Sequence, residues 1–144
     1  MEKRSNGRDP ATLRRVEVCR ILIAERKQVG THLGFDLCPD PAWDMMLDLY
    51  MALHHGRQTH ISSLCLAANI PLSTAHRKVG EMVEADIFMR GMEGGRVVVG
   101  LTPEYVAKLD HLFDDVAGGL VESGITAETS ARPSGSEECM AGQR

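Results

Sequence analysis

Between Pro10 and Val29 the apolar residues Leu13, Val16, Val18, Cys19, Ile21, Leu22 and Ile23 recur with a helical period. Asp9 offers an acceptor to the free N–H groups of a first turn and Pro10 has the φ that turn needs, while Gly30 reads as the stop. These apolar positions cover more than one stripe, so the helix is expected to contact two surfaces, one of them a second subunit. Asp40-Pro41 repeats the start signal, and Trp43, Met46, Leu47, Tyr50 and Leu53 follow at helical spacing until Gly56. Trp43 is the expected core anchor of that stripe.

From Thr59 the pattern changes scale. Ser62 can cap a short helix through Ala68, and Asn69-Ile70-Pro71 then imposes a turn. A second helix is expected over 72–85, with Ala75, Val79, Met82 and Val83 on one face and Ser73, Arg77, Gly80, Glu81 and Glu84 pointing away. Ile87-Phe88-Met89-Arg90 and Val97-Val98-Val99 read as two strands joined through Glu93-Gly94-Gly95-Arg96. Beyond Thr102-Pro103, a stripe of Tyr105, Val106, Leu109, Leu112, Phe113, Val116 and Leu120 predicts a last helix. The expected fold class is mainly α with a small β-hairpin (α+β). Short helix, turn, helix and hairpin, in that order, make a winged helix-turn-helix over 40–101, flanked by dimerisation helices at 9–34 and 102–122. Residues 1–8 and 123–144 are expected to be disordered, the latter because Ser, Gly, Thr and Glu dominate and bury too little surface.

Composition narrows the function. The chain has 144 residues, 25% of them charged and 4% aromatic, which suits one domain with tails. A net charge of −4 excludes a uniformly basic protein and leaves a local basic field open. Charge is uneven: residues 1–27 hold eight Lys/Arg against four Asp/Glu, and residues 104–144 hold three against eight. No apolar run approaches the roughly 18 residues of a membrane span, and no secretory leader is legible, so a cytoplasmic protein without a membrane partner is expected. Cys19, Cys38, Cys65 and Cys139 form no Cys-x-x-Cys pair and read as free thiols, three of them in apolar surroundings. The histidines, His54 and His55 among them, complete no metal set, and no nucleophile elbow, phosphate loop or dinucleotide fingerprint occurs. Asp44, Asp48, Asp114 and Asp115 read as solvated helix faces. No catalytic residue, metal or cofactor is therefore expected.

From Trp43 to about Leu120 the chain resembles the MarR family of bacterial transcription regulators. The carriers are Leu-Ser-Thr-Ala-His-Arg-Lys-Val at 72–79 and Gly-Arg-Val-Val-Val-Gly-Leu-Thr-Pro-Glu at 95–104. The resemblance implies that helix 72–85 enters the major groove of double-stranded DNA and that the wing, 87–99, reaches the minor groove. On that reading Ser73, Thr74, His76 and Arg77 face base edges, and Arg96 enters the narrow groove. Lys78, Arg57 and Arg90 are the expected phosphate contacts. Family members often place Asp two residues before the wing Arg, a position held here by Gly94, with Glu93 next to it.

A homodimer would double the five basic contacts, Arg57, Arg77, Lys78, Arg90 and Arg96, to about ten, enough for a strongly salt-dependent affinity on a pseudo-palindromic operator. A small-molecule effector is compatible with such a dimer, but no polar constellation identifies one. The competing reading is a winged-helix protein–protein interaction module without direct DNA binding, because Glu81, Glu84 and Asp86 adjoin the same surface.

Overall fold

The structure is a computed structural model that describes residues 9–124; of the segments expected to be disordered, 1–8 and all of 123–144 beyond Ser123 and Gly124 lie outside the described residues. Five helices and a three-stranded sheet follow in the order α1 (Pro10–Leu33), α2 (Pro41–His54), β1 (Thr59–His60), α3 (Ile61–Ala68), α4 (Leu72–Glu84), β2 (Phe88–Glu93), β3 (Arg96–Leu101) and α5 (Pro103–Glu122). The strands are antiparallel in the order β1-β3-β2, with Thr59 opposite Val99 and Phe88 opposite Leu101. This is the mainly helical winged helix-turn-helix expected from the sequence.

Three helices begin by one device. Asp9, Asp40 and Thr102 accept from the backbone N–H of Thr12, Trp43 and Tyr105 at 3.2, 3.3 and 3.4 Å, and each is followed by proline. The cap satisfies one of the four donors that a helix start leaves free.

Two boundaries differ from expectation. Helix α1 does not stop at Gly30; it continues to Leu33, and Gly34 ends it at φ 104° with its N–H on the Gly30 carbonyl. Gly30 serves packing instead, since the Phe35 ring occupies the space a β-carbon there would fill. Helix α3 is not capped by Ser62. It starts at Ile61, 3% exposed, because β1 pairs with β3 and delivers the chain directly into the core.

Helix α2 is central. It buries Met45, Leu47, Leu49, Tyr50, Met51 and Ala52, nearly its whole circumference. Trp43 is only half-buried and Leu53 is exposed, so the expected stripe is displaced and Tyr50, fully buried, is the anchor in place of Trp43. Its ring meets Phe113 of α5 edge-on at 4.8 Å, the arrangement the ring quadrupoles favour.

Polar groups tie the flanking helices to α2. The Tyr50 hydroxyl donates to Asp110 at 2.6 Å, and Arg15 of α1 grips Asp114 through two hydrogen bonds of 2.8 and 2.9 Å. The Arg15 guanidinium holds the Asp114 carboxyl below its ordinary range. Asp44 is likewise held by Arg26, at 2.8 and 3.2 Å. Asp44 and Asp114 are therefore ion-paired rather than solvated, and Asp48 is half-buried. Cys19 is buried, Cys38 exposed and Cys65 half-buried, so among the described thiols only Cys38 lacks the expected apolar setting.

Two consequences are measurable. Tyr50→Phe removes a hydrogen bond to a charged acceptor and is expected to lower unfolding free energy by about 1.5–3 kcal/mol in urea titrations. His54, stacked on Tyr50 at 4.5 Å, has a buried Nε2 without a hydrogen-bond partner, and burial lowers its pKa against the opposing pull of Asp110. The folded state thus binds this proton less well than the unfolded chain. Stability should be fully present above the ordinary histidine range and fall as pH drops through it, and His54→Phe should flatten that acid limb.

Candidate nucleic-acid interface

Helix α4 is amphipathic by sequence and is used that way. Ala75 and Val79 are 0% exposed and Met82 8%, so one face is consumed by the core, with Val83 half-buried beside it. Ser73, His76, Arg77, Glu81 and Glu84 are exposed on the rest of the circumference. Thr74 and Lys78 are half-buried along one flank, less free than the sequence reading assumed. Lys78 also pairs with Glu81 at 3.0 Å. Part of its charge is already answered within the helix.

The turn before α4 explains the helix's direction. Asn69 adopts the left-handed conformation, φ 60° and ψ 45°, and closes α3 with its N–H on the Leu66 carbonyl. Asn tolerates that region better than other side chains with a β-carbon. Pro71 then precedes Leu72 in an extended conformation, so the first turn of α4 projects Ser73 outward.

The hairpin follows the expected register and extends beyond it. Gly94 and Gly95 have φ of 58° and 80° and join Glu93 to its cross-strand partner Arg96. A two-residue turn with both φ positive matches the twist of the flanking strands and favours glycine. Gly94 stands where this turn would also accept an Asp able to hold Arg96. Glu93 does not take over that role, because it accepts from Gln58 at 3.3 Å and leaves Arg96 exposed at the tip. At the base, Thr102 donates its hydroxyl to the carbonyls of Asp86 and Ile87 at 2.9 and 3.2 Å, which closes the hairpin onto α4.

The eight expected contact residues thus fall into three groups. Ser73, Thr74, His76, Arg77 and Lys78 lie on α4, and Arg96 lies at the hairpin tip. Arg57 and Arg90 come together at a cleft of about 340 Å³ between the end of α2 and the hairpin. Arg57, Arg77, Arg90 and Arg96 are all exposed, and none forms an ion pair with a described residue. Sequence reasoning missed Gln58 and the strand β1 that follows it. Two residues of strand are too short for any periodicity to register. No three His, Cys, Asp or Glu side chains among the described residues are placed to hold a metal, and no described helix is long and apolar enough to cross a membrane.

Comparison with solved structures gives the fold its place. MepR of Staphylococcus aureus, a transcription regulator of the multidrug efflux pump MepA, aligns over 85% of this chain and 87% of its own, with 14% identity and a TM-score of 0.50. MepR bound to ethidium bromide aligns over 85% and 90%, with 15% identity and a TM-score of 0.52. The chain has a winged helix-turn-helix fold similar to that of MepR. At such identities the likeness concerns architecture. No protein-family model matches the sequence, and no curated protein matches it.

The hairpin offers a direct check. Nothing lies within 4 Å of a β-carbon built on Gly95, so any cost of replacing it is conformational. Gly95→Val is expected to lower stability by about 1–2 kcal/mol in urea unfolding, and Gly95→Asn by much less.

Proposed function

We propose that the chain is a sequence-specific DNA-binding transcription regulator with no catalytic step, acting as a homodimer on a pseudo-palindromic operator. The observation that carries this reading is the uncovered Ser73–His76–Arg77 face of α4 beside a hairpin tipped by Arg96. Helix α4 enters the major groove, where Arg77 reaches a base edge and its bidentate geometry favours guanine. The hairpin lies along the adjacent minor groove, whose negative potential attracts Arg96. Arg57 and Arg90, unpaired at one cleft, contact phosphates and position the domain without reading sequence. Lys78 contributes less than these, since Glu81 shares its charge.

The dimer rests on apolar surface that packing within one chain leaves over. Helices α1 and α5 pack on each other through Arg15, Asp110 and Asp114. Leu13 and Ile21 of α1 nevertheless remain 54% and 51% exposed, and Leu112, Leu120 and Val121 of α5 remain 40%, 37% and 63% exposed. A twofold contact over these residues would set two α4 helices at the spacing of successive major grooves, about 34–36 Å. MepR, the similar fold, is itself a transcription regulator.

Fluorescence-anisotropy titrations against random duplexes and fragments selected for binding, at two salt concentrations, test the reading. Arg77→Ala should erase most of the preference for selected DNA, worth about 1–3 kcal/mol, and leave random DNA less affected. Arg90→Ala should weaken all duplexes alike and reduce the salt slope by about one unit per subunit. If neither duplex binds and salt changes nothing, the surface serves the protein-interaction role that Glu81, Glu84 and Asp86 would suit. Sedimentation of a monomer at micromolar concentration would contradict the twofold contact.

A further inference from the structure

The hairpin tip sets two opposite charges face to face and leaves them apart. Glu93 and Arg96 are direct cross-strand partners on either side of Gly94-Gly95. Side chains so placed have β-carbons about 4.5–5.5 Å apart, and opposite charges there attract. Both side chains are long enough to close that gap. Arg96 is nevertheless exposed and forms no ion pair with a described residue. Its cross-strand partner is engaged elsewhere, because the Glu93 carboxylate accepts from the Gln58 side-chain amide at 3.3 Å.

A carboxylate closed onto Arg96 would cancel the field of the guanidinium and occupy the donors that a narrow minor groove otherwise takes. It would also carry a negative charge toward the phosphates that flank the groove. Gln58 is neutral, so it draws the carboxylate aside without adding a charge of its own. Its place in the chain suits the task. Gln58 directly precedes β1, and Thr59 of β1 pairs with Val99 of β3, so the donor is anchored to the same sheet as the hairpin it steers. Gln58, Glu93 and Arg96 are all exposed, where a hydrogen bond and an ion pair both carry small net energies. One well-placed donor is then enough to decide which partner Glu93 takes.

We infer that Gln58 is a positioning residue of the wing: by holding Glu93 it keeps Arg96 free for the minor groove. The consequence for DNA rests on the regulator reading above, whereas the diversion of Glu93 does not.

Two measurements on the full chain test the two parts. Gln58→Met keeps the length of the side chain and removes the donor at an exposed position. In the protein without DNA, this variant should shift the Arg96 Nε–H resonance and slow its exchange with water, as Glu93 closes on the guanidinium. Combining it with Glu93→Gln should return both readings to the parent values, since no carboxylate is left to close. Anisotropy titrations then compare selected duplexes whose flanks are either an A-tract or G·C-rich. The parent should prefer the A-tract flank and Arg96→Ala should lose that preference. Gln58→Met should weaken binding to the A-tract duplex by about two- to fivefold, the span an exposed ion pair sustains, with the G·C-rich duplex little changed. The double variant should recover the parent's affinity. An Arg96 resonance that Gln58→Met leaves unmoved, or a loss of A-tract affinity that persists in the double variant, would overturn the role of Gln58. An A-tract preference that Arg96→Ala leaves intact would instead overturn the minor-groove contact in the regulator reading, while the spectra without DNA still decide whether Gln58 holds Glu93.

Discussion

The burial of three side chains, Ala75, Val79 and Met82, decides which way helix α4 faces. They recur at intervals of four and three, so one stripe enters the core and the opposite stripe must leave it. Turning the helix by one residue would carry His76 or Arg77 inward. No described acidic group waits there, and an unpaired buried charge costs several kcal/mol. The orientation of the Ser73–His76–Arg77 surface is therefore a packing result. The hairpin inherits its place from the same contact, because Phe88, 1% exposed, leads from α4 into the sheet.

A second constraint joins the flanking helices to this unit. The basic excess near the N-terminus and the acidic excess near the C-terminus have a structural meaning where Arg15 bridges Asp110 and Asp114. That bridge lies against Tyr50, so α1, α2 and α5 meet through one polar chain around an aromatic centre. With these faces committed, Leu13 and Ile21 of α1 and Leu120 of α5 remain directed at solvent. The same helices thus supply both an internal brace and the surface proposed for a second copy.

What could be read from sequence was set by how local its cause is. Helix α4, the Gly94-Gly95 turn and the Thr102-Pro103 start all depend on residues within a few positions, and the structure places them as expected. Gly30 was misleading because its role depends on Phe35 folding back over it, which no local rule announces. Trp43 is the largest side chain of α2, yet Tyr50 is the anchor, because α2 is enclosed on nearly all sides and a single stripe does not describe it. For the candidate interface, residue types and positions were legible, but Lys78's pairing with Glu81 and the meeting of Arg57 with Arg90 were not. Asp44 and Asp48, one turn apart and equivalent in sequence, line one cleft but have different fates: Asp44 is gripped by Arg26 and Asp48 has no ion-pair partner among the described residues. Only tertiary structure separates them.

The central claim is that α4 and the hairpin tip together form the surface that meets DNA. Backbone amide NMR during titration with a selected duplex tests it residue by residue. The account predicts that shifts concentrate at 73–78 and 94–97, with smaller changes at Arg57 and Arg90 and none at Tyr50 or Phe113. Binding whose shifts map to α1 and α5 and spare α4 would contradict it.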